Sequence, residues 1–141
     1  MSSDTSMFLV VDNYEWVVRL TKWRLQRLLG NNINVITGHN GEDAIQLFEK
    51  IVSCGDHSRL QAVLVGCHMP VFTGMQAVEE IRNIERVHNV SRSVSIIGTS
   101  TDLNSEVYAD FIRSGADVLL EKPIPEGELE QVVAELLTDH H

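Results

Sequence analysis

The sequence has few cysteines, no long apolar run and little positive charge, and each deficit narrows what the protein can be. Its 141 residues include two cysteines, Cys54 and Cys67, too few for a disulfide framework, so reduced thiols are expected. No apolar run approaches the roughly 20 residues that span a bilayer, and the N-terminus lacks the layout of a signal peptide. These absences predict a protein of the cytoplasm or nucleus that does not bind membranes.

The acidic balance of the chain argues against nucleic acid as its main partner. Lys and Arg number 11 against 20 Asp and Glu, which gives a formal net charge of −9, whereas phosphate binding needs clustered positive charge. The sequence also contains no helix-turn-helix, zinc or basic-tail signature. We therefore expect a protein partner rather than nucleic acid.

Strand-like and helix-like segments alternate along the chain. We predict strands at 7–11, 33–37, 61–65, 94–98 and 117–120, and helices at 14–29, 41–53, 75–87, 103–114 and 125–137. Gly30 and Gly115 follow helices as C-terminal caps, and Asn40 is a plausible N-cap. Five strands alternating with five helices indicate an α/β fold, a doubly wound parallel sheet covered on both faces.

The length predicts one domain with enough residues to bury a core. We place this domain at residues 7–137, after a polar tail at 1–6 that we expect to be disordered. A second tail at 138–141 ends in His140 and His141, which we interpret as a purification-tag remnant rather than a metal site.

Polar residues stand near the predicted C-terminal ends of the strands, the edge where a doubly wound sheet places its site. Strand one runs into Asp12 and Asn13, and strand three ends at Gly66. Strand four runs into Ser100, and strand five runs into Lys122. This arrangement resembles the receiver domain of two-component response regulators, over about residues 7–137. The resemblance implies a flavodoxin-like fold with five strands and five helices.

The resemblance also implies a phosphorylation site, from which this chain departs. In receivers the third strand ends in an aspartate that accepts a phosphoryl group, and Gly66 stands at that position. The family has an acidic pair after strand one, whereas this chain has Asp12 and Asn13. Magnesium prefers carboxylate and other oxygen ligands, and one of three expected carboxylates remains. We predict a degenerate site with no metal, no cofactor and no catalytic residue.

The remaining site positions have both a family role and a structural alternative. Ser100 matches the hydroxyl that contacts the phosphoryl group, and otherwise bonds the loop backbone. Asp12 is expected to cap the following helix. Because a buried lysine without a partner is unfavourable, we expect Lys122 to contact Asp12 or to face a water-filled gap. By the resemblance the Lys122-Pro123 bond is cis, and Leu119 replaces the aromatic residue of the family's switch.

Three alternatives for the site remain open from the sequence. A non-standard residue could accept the phosphoryl group; Cys67 and His68 follow Gly66, although His68 is expected to be an exposed loop residue. Glycine at position 66 could also be an engineered substitution of a native acceptor aspartate. The space beside Gly66, with Lys122 nearby, could also hold a small anion.

The first helix concentrates positive charge. It carries four of the 11 basic residues, namely Arg19, Lys22, Arg24 and Arg27. On a helical wheel Trp16, Leu20, Trp23 and Arg27 share one narrow sector. The tryptophans could complete the core, or they could anchor a partner, because Trp and Arg are enriched at binding hot spots. The predicted partner surface consists of Trp16, Arg19, Lys22, Trp23 and Arg27.

The last helix is acidic, and in this fold it neighbours the first helix. Its acidic residues are Glu126, Glu128, Glu130 and Glu135. The opposite charges could pair within the domain or across a dimer. We therefore expect a non-enzymatic interaction module of two-component or phosphorelay signalling, such as the receiver part of a hybrid histidine kinase. Its expected partner is a histidine kinase, a histidine phosphotransfer protein or a second copy.

Overall fold

The computed structural model describes residues 5–69 and 73–139. The predicted tag residues His140 and His141 lie outside the described residues, as do residues 1–4 of the predicted N-terminal tail. Thr5 and Ser6, from the same predicted tail, are held against the domain. The backbone N–H of Asn34 donates to Ser6 O at 2.8 Å, and Arg59 Nε donates to Thr5 O at 3.1 Å.

Strands and helices alternate as predicted. The strands are β1 (Met7–Val11), β2 (Asn34–Gly38), β3 (Leu60–Gly66), β4 (Ser95–Ser100) and β5 (Val118–Glu121). The helices are α1 (Glu15–Leu29), α2 (Gly41–Ser53), α3 (Gly74–Val87), α4 (Ser105–Ser114) and α5 (Glu128–Asp139). A short 3₁₀ helix at His57–Arg59 was not predicted.

All strand pairs are parallel, and the sheet order is β2-β1-β3-β4-β5. One face packs against α1 and α5 through a core that includes Phe8, Leu25 and Leu129. The other face packs against α2, α3 and α4 through a core that includes Phe48, Ile81 and Phe111. The predicted doubly wound α/β fold is therefore confirmed.

Local capping explains where the helices begin. Asn40 caps α2 as predicted, because its side chain accepts the N–H of Asp43. α4 begins at Ser105 rather than 103, since the Asn104 side chain accepts the N–H of Val107. α5 begins at Glu128 rather than 125, because Gly127 has a φ of 90° and breaks the helical path. Gly30 and Gly115 end α1 and α4, which confirms both predicted caps.

Among the described residues, no helix combines the length and apolar character that crossing a membrane requires.

Candidate functional site

Strand pairing brings the predicted site residues to one edge of the sheet. Val11 is level with Val65, Gly66 with Thr99, and Ser100 with Glu121. Asp12, Gly66, Ser100 and Lys122 therefore follow or end neighbouring strands at the same level. The backbone N–H of Lys122 also donates to Ser100 O at 2.8 Å, which fixes the lysine beside β4.

Asp12 and Lys122 form a buried ion pair across this edge. Lys122 Nζ donates to Asp12 Oδ2 at 2.8 Å, and the two side chains are 10% and 4% exposed for lysine and aspartate respectively. The other oxygen, Oδ1, accepts the backbone N–H of Tyr14 at 3.0 Å. The predicted Lys122–Asp12 contact is confirmed. Asp12 also supports the entry to α1, although it bonds the N-cap residue rather than acting as the N-cap itself.

The space beside Gly66 is filled by Asp12. A β-carbon built on Gly66 would lie 2.7 Å from Asp12 Oδ2, closer than real β-carbons come to a heavy atom, and 3.1 Å from Asp12 Cγ, which is a tight contact. In this structure the Asp12 carboxylate lies in the space that the small-anion alternative assigned to a ligand. The sequence could not reveal this, because the rotamer of Asp12 depends on its bond to a residue 110 positions away.

Ser100 and Cys67 are buried side chains at the same edge of the sheet. Ser100 is fully buried, and its Oγ accepts the backbone N–H of Asp102 at 3.1 Å, the loop-backbone role expected as its alternative. Burial raises the pKa of the Cys67 thiol, although a hydrogen bond with Ser100 and the charge of Lys122 act in the opposite direction. At neutral pH Cys67 is therefore a protonated, buried thiol.

The residues at this edge do not fit a magnesium ion. The buried carboxylate at this edge is Asp12, and it is already bonded to Lys122. Asn13 is exposed and offers only a neutral amide oxygen. Within the described ranges, no three His, Cys, Asp or Glu side chains lie close enough to hold a metal ion. His68 is exposed, as predicted.

The β3–α3 junction is held by close backbone packing. Gly74 N–H donates to Cys67 O at 2.9 Å, and a β-carbon at Gly74 would lie 2.2 Å from Gly66 O. Thr73 caps α3 in a reciprocal arrangement with Gln76, in which each side chain accepts the other's backbone N–H. The approach of residue 74 to the backbone of Gly66 and Cys67 thus requires glycine at 74 independently of any phosphorylation chemistry.

The predicted surface on α1 is exposed rather than part of the core. Trp16 is 60% and Trp23 is 53% exposed, so the alternative in which they complete the core is wrong. The Arg27 guanidinium lies 5.2 Å from the centroid of the Trp23 ring. Leu20, between the tryptophans, is also exposed. α1 therefore presents an apolar stripe, which we define as Trp16, Leu20 and Trp23.

Arg24 does not belong to the exposed basic cluster. Its guanidinium makes two 2.9 Å hydrogen bonds to the Glu130 carboxylate, and it also bonds Ile124 O and Pro125 O. The hydrogen bond from Arg24 is the main reason that the pKa of Glu130 falls from 4.5 to about 2. The opposite charges of α1 and α5 thus pair within the domain, at least through Arg24 and Glu130.

Sequence reasoning missed two features of this region. Tyr14 supports Asp12 through its backbone, and its ring centroid lies 6.0 Å from Lys122 Nζ; its position two residues after Asp12 was the available signal. A groove of about 610 Å³ separates α1 from the β5–α5 connection. Its apolar lining residues are Leu20, Trp23, Leu28 and Ile124.

Comparisons with known proteins place these observations in a family. The chain is 24% identical over 123 residues to the peroxide stress-activated histidine kinase mak3 of Schizosaccharomyces pombe, covering 87% of this chain. It is 31% identical over 103 residues to hybrid signal transduction histidine kinase A of Dictyostelium discoideum, covering 63% of this chain. The chain spans about 5% of the length of each of these relatives.

Solved receiver structures have the same fold. The receiver domain of the histidine kinase CKI1 from Arabidopsis thaliana, complexed with Mg²⁺ and BeF₃⁻, gives a TM-score of 0.78 at 26% identity, covering 94% of this chain and 90% of that one. The receiver domain of Ssk1, crystallised with the Saccharomyces cerevisiae phosphotransfer protein Ypd1, appears in a match with a TM-score of 0.76, 18% identity and coverages of 96% and 91%. The family profile for the response regulator receiver domain matches residues 8–134. The chain therefore belongs to the response regulator receiver domain family.

Proposed function

We propose that this chain is a pseudo-receiver: a receiver domain that cannot be phosphorylated at the end of β3 and acts through contact with other proteins. The observation that carries the proposal is the position of Asp12. Its carboxylate fills the side-chain space of residue 66 and bonds Lys122 at 2.8 Å. Lys122 is therefore paired with Asp12. Residue 66 has no side chain that could attack a phosphoryl group.

The neighbouring residues supply no evident replacement nucleophile. Attack on a phosphoryl group needs an accessible nucleophile in line with the leaving group and a cation that neutralises the developing charge. Asp12 is 3% exposed and has both carboxylate oxygens engaged. Cys67 is buried with a raised pKa. The donor set also lacks the oxygen ligands that magnesium prefers.

The residues at the two switch positions of the family, Leu119 and Ser100, already have partners within the domain. Leu119 is buried in the core between the sheet and α4, and a leucine has no ring to rotate in response to a phosphate. The Ser100 hydroxyl already accepts the Asp102 N–H. A ligand shifts a conformational equilibrium only when it binds one state better than the other, and this edge offers a phosphate few contacts of that kind.

The exposed stripe on α1 supports the interaction half of the proposal. Large exposed apolar patches on a soluble domain usually mark contact sites, and Trp and Arg often dominate binding energy. The matched relatives are histidine kinases, and a matched structure pairs a receiver with a phosphotransfer protein. We therefore propose that the partners belong to two-component or phosphorelay signalling.

Intact-mass measurement tests the loss of phosphorylation directly. The protein is incubated with acetyl phosphate and Mg²⁺, beside a receiver that retains its acceptor aspartate as positive control. We expect a phosphoryl adduct on the control and none on this protein. An adduct that hydroxylamine removes would show an acyl phosphate and disprove the proposal, and a stable adduct would point to a non-standard acceptor.

A binding measurement tests the second half. Purified histidine phosphotransfer proteins and receiver-bearing kinase fragments are immobilised, and this protein is titrated with and without acetyl phosphate and Mg²⁺. We expect the same affinity under both conditions. Binding that appears only with the phosphoryl donor would contradict a constitutive interaction module.

A further inference from the structure

We propose that the face formed by α1 and α5 joins two copies of this chain in a twofold-symmetric dimer. The inference rests on the proposed function, because it names a second copy as one partner of the contact module. It follows from the order of charged and apolar residues across that face.

One edge of the face is basic. At roughly 100° per residue, Arg19 and Lys22 lie on the side of the apolar stripe that is turned away from α5. Arg24 and Leu28 lie on the opposite side, where both line the groove beside the β5–α5 connection. Arg19 has an exposed contact with Glu15 at 3.4 Å. Lys22 forms no ion pair with any described residue, so this edge retains positive charge.

The other edge of the face is acidic. Glu130 points from α5 toward α1 and is neutralised by Arg24. Glu128 and Glu135 are two helical turns apart and, by the same wheel, lie on the side of α5 that is turned away from α1. Both are exposed and neither forms an ion pair with a described residue, although the charge of Glu128 helps to raise the pKa of Arg24. The negative charge on this edge is therefore available to a partner.

Apolar surface lies between the two edges. It comprises the stripe of Trp16, Leu20 and Trp23, followed by the groove that Leu28 and Ile124 help to line. The order across the face is thus basic, mainly apolar and acidic, and the middle region also holds the exposed side chains of Arg27, over Trp23, and Glu126 at the groove. The Arg24–Glu130 pair within the apolar region is internally satisfied by its 2.9 Å hydrogen bonds, so it does not require a charged partner.

This order is complementary to itself under a twofold rotation. A C2 interface uses the same patch on both subunits. A twofold axis that runs through the apolar region along the direction of α1 brings the basic edge of one copy to the acidic edge of the other. The two apolar regions then cover each other. An acidic protein of another kind could also bind the basic edge of this chain, whose net charge is −9. Such a partner would leave the acidic edge without a complementary charge, whereas a second copy matches both edges.

The area of the face indicates a weak, concentration-dependent dimer. α1 has 15 residues and α5 has 12, so each helix extends about 20 Å at 1.5 Å per residue. A face of two such helices is at the small end of specific interfaces. We expect sedimentation equilibrium to show the mass rising from 15.8 kDa toward twice that value as concentration increases, and the dimer fraction to fall with added salt.

Charge reversal with complementation tests the symmetry. The variants Arg19→Glu/Lys22→Glu and Glu128→Lys/Glu135→Lys should each remain monomeric, with melting temperatures close to that of the original protein. An equimolar mixture should form a heterodimer, because an all-acidic face then meets an all-basic face. The matched controls Arg86→Glu/Arg113→Glu and Glu42→Lys/Glu79→Lys alter exposed charges on α2, α3 and α4 and should leave dimerisation unchanged.

Tryptophan fluorescence supplies a second readout. The protein has two tryptophans, Trp16 and Trp23, and both lie in the apolar region. Their emission should shift to shorter wavelength with increasing concentration, and the shift should be absent from each charge-reversed variant alone. A protein that stays monomeric up to about 1 mM, the range of weak affinities, would overturn the dimer, as would a mixture of variants that does not associate. Either result leaves the proposed function standing, whereas an acyl phosphate would overturn that function and not the dimer.

Discussion

Asp12 occupies the position that a side chain at residue 66 would need. Its Oδ2 atom lies 2.7 Å from a β-carbon built on Gly66 and 2.8 Å from Lys122 Nζ. The identity of residue 66 and the conformation of Asp12 are therefore linked. Either the carboxylate of Asp12 bonds Lys122 from this position, or a larger residue at 66 displaces it.

Removing one member of the buried pair should destabilise the domain strongly. Asp12→Ala leaves Lys122 without its carboxylate, and Lys122→Met leaves Asp12 as a buried unpaired charge, so each should lower the free energy of unfolding by about 3 kcal/mol. The double variant should lose much less than the sum of the two, since neither charge is then orphaned. Urea denaturation of all four proteins measures this coupling. Additive losses would mean that the pair has little mutual energy.

Substitutions at residue 66 should distinguish the steric effect of a side chain at this position from the effect of an added carboxylate on Mg²⁺ binding. Gly66→Ala and Gly66→Asn both displace the Asp12 carboxylate and should each lower the free energy of unfolding by roughly 1–3 kcal/mol. Gly66→Asp adds a second carboxylate beside Asp12, so Mg²⁺ should stabilise this variant but not Gly66→Asn. Thermal melts with and without millimolar Mg²⁺ provide the comparison. Equal Mg²⁺ responses in the Asp and Asn variants would contradict a carboxylate pair at this edge.

The Arg24–Glu130 pair should make stability depend on pH in the acid range. The folded pKa of Glu130, about 2, lies below its ordinary value of 4.5. A lowered folded pKa means that the stabilisation is complete above pH 4.5 and is lost as pH falls toward 2. The shift corresponds to about 3 kcal/mol, solvent screening of this partly exposed pair reduces it to about 2 kcal/mol, and Glu130→Gln removes this contribution. Urea midpoints measured from pH 6 to pH 2 should converge for the two proteins at the acid end. A constant difference across this range would show that ionisation of Glu130 is not responsible.

The two cysteines should differ sharply in reactivity. Cys54 is exposed, whereas Cys67 is buried and its pKa is raised by that burial. Because the thiolate is the reactive form, a disulfide reagent should modify one thiol rapidly and the second only upon unfolding. Cys54→Ser should abolish the rapid phase and Cys67→Ser the slow one. Rapid labelling of Cys67 in the folded protein would contradict its burial beneath the sheet edge.

Periodic patterns and strand-end residues were sufficient to predict the fold. The apolar run Ala62 to Val65 indicated a buried strand, and its position between helices indicated a parallel sheet. The Lys122–Asp12 contact was also predictable, because a buried lysine needs a partner and Asp12 was the acid expected nearby. The first prediction depends on local pattern, and the second depends on charge balance together with the resemblance to the receiver site, which brings Lys122 near Asp12.

The remaining features depend on distant contacts that a single sequence does not encode visibly. Arg24 and Arg27 are one turn apart on α1, yet Arg24 bonds Glu130, 106 positions away, while Arg27 lies over Trp23. Spacing alone could not separate them. Trp16 and Trp23 lie on the side of α1 opposite the buried Val18 and Leu25, so their exposure follows from which side of α1 meets the sheet. The space beside Gly66 is filled only because the Asp12 side chain adopts the rotamer that bonds Lys122.

The close approach of Gly74 to the backbone of Gly66 has a consequence for how such a domain can change over time. A side chain at 74 would collide with the carbonyl of residue 66, 2.2 Å from its β-carbon, so position 74 is constrained by shape. Position 66 is constrained by chemistry, and when Asp12 neutralises Lys122 that constraint is relaxed. An aspartate codon becomes a glycine codon by a single base change. A single change at position 66 therefore removes the acceptor side chain of a receiver without relieving the shape constraint at position 74.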